Sequence, residues 1–409
     1  MSSRRLLAVS TLLLLVPASL LEQSDIGSAT EPSQTAAATA AAAAATSVSV
    51  RVTPHQRIRL EVLPQIVQHG GKVASPDRAL AAITATVRPV RAGRRVQLQV
   101  RSNLSWEAVA TTRQNRRGLA QFAWPASADG HPLTYRVRAM ASGSLRGLTS
   151  RTVSSARWQQ PTWTDEFSGS DLDPVWNHRG RDYVGSNRRS CSKGDPSAVQ
   201  VDGGAVRLSV IKDPDATTRC MIRGRDTTAG RFAYRLTGHI GTQGAFSYLY
   251  GVAAARVKFH RLRGQHGAFW LQPTGGLYPG AVGSEIDVVE YFGDHHPQGG
   301  LAAFMHRYDG NRRVSSGGWV TNQASYLKTR RDGWSKNYHV FSVEWTPRTL
   351  VFRIDGLETA RMSGSGISDV RQFPILSLIA ADYEIPKITE RRLPQHMYVD
   401  WVRVWETGS

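Results

Sequence analysis

The sequence predicts an all-β protein, a small antiparallel sandwich followed by a much larger two-sheet sandwich. Apolar and polar residues alternate through Val48, Val50 and Val52, through Val96, Leu98 and Val100, and through Tyr135, Val137 and Ala139. A period of two is the signature of half-buried strands. Turn residues punctuate these runs, among them Asp355-Gly356, a hairpin signal between strand-like segments. No long amphipathic helix interrupts them. At 409 residues, 41% apolar and 20% charged, the chain is long enough for two domains and apolar enough to give each a core.

The first element is a leader. Arg4 and Arg5 precede an apolar run from Leu6 to Leu21, too short for a comfortable membrane span, so residues 1–21 read as a signal peptide and the body as exported. An uncleaved anchor is the alternative, since no small-residue cleavage site follows Leu21 at once. Residues 22–46, rich in Ala, Ser and Thr, offer nothing to pack and read as a linker. From 47 to 156 short strand-like runs recur at a sandwich-like rhythm. This stretch resembles immunoglobulin-like or fibronectin-like modules, in "VRAGRRVQLQVRSNLSWEAVATT" and "TYRVRAMASG" above all, which implies a spacer. Residues 157–409 carry the longer strands, for example "AAARVKFHRL" and "TLVFRIDGLETARM". Long antiparallel strands interleaved with aromatics suit two stacked sheets, each with a free face for a ligand cleft.

Charge and cysteine narrow the function classes. The net charge is +19, but the basic residues are scattered in pairs such as Arg188/Arg189, Arg312/Arg313, Arg330/Arg331 and Arg391/Arg392. Without a basic helix, finger or tail they read as solvated surface, and a nucleic-acid partner is not expected. Cys191 and Cys220 are the only cysteines, an even pair that in an exported chain reads as one disulfide, with two unpaired thiols as the alternative. Two thiols alone do not complete a zinc site.

The chemistry concentrates in Gly283-Ser284-Glu285-Ile286-Asp287-Val288-Val289-Glu290-Tyr291. In a strand Glu285 and Asp287 share one face, while Glu290 falls on the other, among apolar groups where an unpaired carboxylate is costly. One extra residue near Val288 and Val289, taken up as a β-bulge, restores the phase and puts all three acids on one surface. Carboxylates so gathered raise one another's pKa, as a general acid at neutral pH requires. Retaining glycosidases use two such groups, one as nucleophile and one as acid and then base. An exposed polar face or a calcium site accounts equally for the motif taken alone.

The motif and its surroundings closely resemble glycoside hydrolase family 16, whose bulged signature is ExDxxE, in its laminarinase-like endo-β-1,3-glucanase branch. "WTDEFSGSDLDPVW" looks like the opening strand and turn, "TGHIGTQGAFSYLYGVAAARVKF" like the central strands, and "GAFWLQP", "LAAFMHRYDG", "YHVFSVEWTPRTLVFRIDG" and "MYVDWVRVWE" follow in family order. The resemblance implies a concanavalin-like β-jelly-roll catalytic domain. It makes Glu285 the nucleophile, Asp287 its supporting acid, hydrogen-bonded to it, and Glu290 the acid/base. Trp270 becomes the floor of a sugar subsite, His306 a polar contact on the nucleophile side, and Arg256 and His266 further substrate contacts. No cofactor is implied for catalysis, but a structural calcium is, on the convex face, with Glu166, Gly203 and Asp400 as ligands. His295 and His296, adjacent in "GDHHPQGG", read as a loop cap rather than a metal pair.

Departures from the family bear on specificity. His266-Gly267 stands where many relatives carry Trp-Pro, Ala254 stands where Glu is usual, and "LIAADYEIP" replaces a glycine-rich turn. The expected protein is therefore a secreted or surface-held monomer with a polysaccharide partner and no membrane span once the leader is removed. The expected reaction is endo-hydrolysis with retention, of β-1,3-glucan first. A galactan, anionic or not, transglycosylation, and carbohydrate binding without cleavage are the alternatives.

Overall fold

The computed structural model describes residues 55–185, 188–224, 228–364 and 366–408. The expected signal peptide at 1–21, the linker at 22–46 and the strand through Val48 and Val52 lie outside the described residues. Every helix among the described residues is a 3₁₀ turn of three or four residues, and none is long and apolar enough to cross a membrane.

Residues 57–154 form two small antiparallel sheets and a short two-stranded ladder between Ser127–Ala128 and His131–Pro132. In one, Leu80–Arg88 lies between Arg57–Val67 and Leu119–Trp124; in the other, Arg95–Ser102 lies between Thr134–Ala139 and Ser105–Arg113. The alternating residues point as the sequence demands. Val96, Leu98, Tyr135 and Val137 meet Ile83, Val87 and Phe122 in a core of their own.

The rest of the chain builds a sixteen-stranded sheet that curls over itself and a separate two-stranded pair, Arg219–Ile222 with Gly230–Ala233. Its first arm runs, by hydrogen-bonded neighbour, Arg312–Trp319, Leu301–Asp309, Ser284–Tyr291, His266–Pro273, Gln372–Ile379 and Arg235–Gly241. Its second includes Ala205–Lys212, Gln395–Glu406, Gly251–Lys258, His339–Thr346 and Thr349–Ile354. Phe269, Leu271 and Ile286 from the first arm pack on Ala253, Ala255, Phe341, Val343 and Val399 from the second, so the two arms are the layers of a jelly-roll sandwich. The turn between Thr349–Ile354 and Leu357–Ser363 uses left-handed backbone at both Asp355 (φ 45°) and Gly356 (φ 76°), the geometry a two-residue hairpin favours. A side chain at 356 would lie 2.5 Å from Val67, so only glycine fits that close approach.

Two sequence expectations are corrected on the second layer. Ala254 lines no subsite: it is fully buried with Leu63, Ile66, Ala82, Trp401 and Trp405, where the N-terminal sheets rest on the sandwich. A glutamate there would bury a charge in an apolar seam. Arg256 is likewise no substrate contact. It is 1% exposed, donates to the Gln68 carbonyl at 2.8 Å, ion-pairs with Asp400, and lies over the Tyr338 ring at 4.7 Å. Trp158 and Trp401 close the seam by donating to the Val62 carbonyl (2.7 Å) and the Gln68 side-chain oxygen (2.8 Å). Cys191 and Cys220 form a disulfide that closes a loop of 29 residues.

Candidate active site

The acidic strand Ser284–Tyr291 is the third from one end of the first layer, and its register carries the chemistry. Against Leu301–Asp309, Asp287 faces Phe304 and Glu290 faces Ala302, a shift of one residue; against His266–Pro273, Trp270 faces Asp287 while Phe269 faces Val289. The extra residue is therefore in the Val288-Val289 pair. Ile286, Val288, Val289 and Tyr291 all turn into the core. Two consecutive inward valines are what let Glu290 rejoin Glu285 and Asp287 on the opposite face. All three acids line one cavity of about 500 Å³, and Glu285 continues into an adjoining one of about 800 Å³.

Each carboxylate has a basic partner. Glu285 lies 3.2 Å from Arg313, Asp287 lies 3.1 Å from His306 Nε2, and Glu290 lies 2.8 Å from His266 Nε2. The imidazoles are held in turn, His306 through Nδ1 by Ser315 at 2.7 Å and His266 through Nδ1 by the Tyr383 hydroxyl at 3.1 Å. Stacking fixes their planes, His266 on Phe292 and His306 on Phe304. Asp287 thus turns to His306, and the expected hydrogen bond to Glu285 gives way to that contact.

Electrostatics separates the acids. Burial, then the adjacent Asp287 charge, pushes Glu285 up to about 7 against the pull of Arg313 and His306. Burial likewise raises Asp287, with His306 opposing. Burial acts upward on Glu290 too, but His266 outweighs it and holds that carboxyl below its ordinary range. Burial and Asp287 thus favour the protonated form of Glu285, while His266 favours the carboxylate of Glu290.

Trp270 lies on the same face beside Asp287, 9% exposed, its indole N–H donating to Ser377 at 3.2 Å. Several lining residues escaped the sequence reading. Arg189 and Arg313 belong to basic pairs read as solvated surface, yet both border the cleft. Arg313 had a legible signal, since in Arg312–Trp319 it shares the parity of Ser315, which faces His306. Tyr383 stands in the departing "LIAADYEIP" segment, and nothing local marks it as reaching His266. His296 behaves as the loop cap expected of it: Nδ1 accepts from Gln298 N–H at 3.2 Å and the ring stacks on Trp319.

The calcium ligands do not fit the ion. Arg256 ion-pairs with Asp400 Oδ2, which also accepts from Ala74 N–H at 3.1 Å, and Glu166 is turned to Arg403 at 3.0 Å. Gly203 occupies a left-handed turn (φ 60°) between strands. Asp400 Oδ1 alone among these carboxylate oxygens is buried without a hydrogen bond, one oxygen where calcium takes six to eight. Burial pushes Asp400 up to about 6 even beside Arg256, so here a fixed guanidinium does the neutralising.

A curled antiparallel sandwich with a bulged acidic strand across its open face defines the jelly-roll class of carbohydrate-cleft proteins. The chain belongs to the glycosyl hydrolases family 16, whose model matches residues 196–402. It is 26% identical over 277 residues to the keratan-sulfate endo-1,4-beta-galactosidase of Sphingobacterium multivorum, covering 65% of this chain and 59% of that one. It is 26% identical over 208 residues to the glucan endo-1,3-beta-glucosidase A1 of Niallia circulans, covering 47% of this chain and 28% of that one. The chain thus spans well under two thirds of either relative. Among solved structures it is similar to the laminarinase catalytic domain of Thermotoga maritima MSB8, with a TM-score of 0.47 and 21% identity over 61% of this chain and 99% of that one.

Proposed function

We infer that the chain is an exported, retaining endo-β-glycosidase acting through Glu285 and Glu290. The observation that carries the reading is the bulge at Val288-Val289, which brings three carboxylates, Asp287 buried and Glu285 and Glu290 partly so, onto one cleft wall next to an indole. Glu290 protonates the glycosidic oxygen as Glu285 attacks the anomeric carbon and the leaving sugar departs with that proton. Glu290 then takes a proton from water, whose oxygen attacks the same carbon and frees Glu285. The reactive form has Glu285 ionised and Glu290 protonated, against the direction in which burial and His266 push the two groups. A glycosidic oxygen accepting from Glu290, and positive charge growing beside Glu285, both favour it once substrate is bound. Asp287, with His306, steadies the nucleophile's surroundings, and Trp270 offers an apolar face to a pyranose.

β-1,3-Glucan is the first substrate, supported by the ordered likeness to laminarinases and the Niallia circulans relative. A specific observation favours a second, an anionic galactan. The larger arm of the cleft is bordered by Arg179, Arg188, Arg189 and Arg313 around a single tryptophan, Trp270. Guanidinium forks suit sulfate or carboxylate better than neutral glucose, and one relative acts on keratan sulfate. The test is reducing-end release from laminarin, lichenan, keratan sulfate and a sulfated galactan, with the product anomer followed by NMR. Retained configuration that Glu285→Gln abolishes supports the reading. Inversion, or binding without cleavage of any polymer, overturns it.

A further inference from the structure

Far along the chain from the acidic strand, three side chains converge where the N-terminal sheets meet the sandwich. His69 follows the strand Arg57–Val67, Asp332 lies in the loop before the strand His339–Thr346, and His339 opens that strand. Asp332 Oδ1 lies 3.0 Å from His69 Nε2 and 3.2 Å from His339 Nε2. That oxygen already accepts from Gly333 N–H at 2.9 Å and from Asn337 Nδ2 at 2.5 Å. His69 Nε2 is buried and makes no hydrogen bond.

His339 is fully buried and its Nδ1 lies 2.8 Å from Asp355 Oδ2, while Asp355 Oδ1 accepts from Val340 N–H at 3.0 Å. The Nδ1 proton therefore belongs to the Asp355 contact, which leaves Nε2 aiming a lone pair at a carboxylate oxygen. The two imidazole rings lie 4.9 Å apart, centroid to centroid, and both aim Nε2 at the same carboxylate oxygen. A divalent cation held among these three atoms offsets the charges of Asp332 and Asp355.

We propose that His69, Asp332 and His339 bind one zinc-like divalent cation that staples the N-terminal sheets to the catalytic sandwich. Ligand atoms at about 2.0–2.2 Å from a tetrahedral ion stand roughly 3.3–3.6 Å from one another; the observed 3.0 and 3.2 Å are a little shorter, and all three ligand atoms lie within 4.8 Å of one another. Two imidazoles and a carboxylate select zinc or a neighbouring transition metal over calcium or magnesium. The carboxylate of Asp355 behind His339 is the outer partner that orients metal-bound histidines. His69 is 27% exposed, so the site lies one side chain from solvent. The Gly70 and Tyr338 backbones bond to each other in both directions beside it, at 3.2 and 2.7 Å, so the two parts of the chain are already in register.

The test uses the full chain, dialysed against a chelator and titrated with zinc chloride. Calorimetry and elemental analysis should find one equivalent bound, and bound cobalt(II) should give the intense visible absorption of a four-coordinate site. Zinc should raise the unfolding midpoint by on the order of 2–5 °C. His69→Ala, at the accessible edge where folding is safest, should weaken binding at least about tenfold and abolish the midpoint shift, leaving glycan cleavage at room temperature unchanged. Equal uptake by the wild type and His69→Ala, or a midpoint indifferent to zinc and chelator, would overturn the site in favour of a proton-linked network.

Discussion

Glu290 and His266 stand 2.8 Å apart, carboxylate oxygen to Nε2, on neighbouring strands of the cleft. The pair inverts the protonation that the proposed reaction needs, because His266 favours the ionised acid while burial and Asp287 push Glu285 up to about 7. kcat/KM should therefore fall as pH rises through about 7, where the singly protonated site loses its proton. It should fall again at low pH, below the ordinary glutamate range, where Glu290 takes up a second proton. The sign for His266→Gln follows. Deleting the positive charge that lowers the Glu290 pKa lets it rise, so the acid limb moves upward and the bell narrows while the alkaline limb stays in place. An alkaline limb that moves up instead would place the proton of the free site on Glu290.

The two glutamates should separate by leaving group. Glu290→Ala should cut cleavage of polysaccharide by about 10²–10⁴-fold yet retain much of the rate on aryl glycosides that depart without protonation. Glu285→Ala should lose both, because no covalent intermediate forms. Comparable losses on both substrates in the two variants would remove the division of roles.

How much of this was legible follows from the range of the signals. Alternation is local, so the strands through Val96 and Tyr135, the Asp355-Gly356 hairpin and the phase break at Val288-Val289 could all be read from neighbouring residues. The partner of a side chain is a long-range property. Arg256 looked like a cleft residue because the family order places it on a central strand, but its guanidinium is on the other layer with Gln68 and Asp400, from segments 188 and 144 residues away. Ala254 looked like a lost carboxylate and is instead the small residue that lets Leu63 and Ile66 seat. Tyr383 and Arg189 reach the cleft through loop paths that no periodicity encodes.

If anionic polymer is the substrate, Arg313→Ala should raise KM several-fold for a sulfated galactan and far less for laminarin, with the difference shrinking as salt is added. Because Arg313 also pulls down the Glu285 pKa, its loss should shift the alkaline limb upward on both substrates. Parallel KM changes on the neutral and the sulfated polymer would assign Arg313 to the nucleophile alone.

The last expectation concerns the guanidinium in the place where the family resemblance would put calcium. Arg256 and Asp400 have side chains 1% and 0% exposed, and Arg256 and Ala74 N–H both meet Asp400 Oδ2. Removing one partner of such a pair strands the other, at a cost of about 3–5 kcal/mol. Arg256→Met should therefore lower the unfolding free energy by roughly that amount at pH 8, where an Asp400 raised to about 6 is ionised. Stripped of Arg256, the carboxyl titrates still higher. Folding then favours its protonated form, and the destabilisation should ease as pH drops toward 5 and the charge disappears. Added calcium should restore none of the loss if Glu166 stays with Arg403. Denaturant unfolding of the wild type and Arg256→Met at both pH values, with and without millimolar calcium, measures this directly. A loss repaired by calcium at pH 8 would mean that the arginine stands in for an ion the site can still hold.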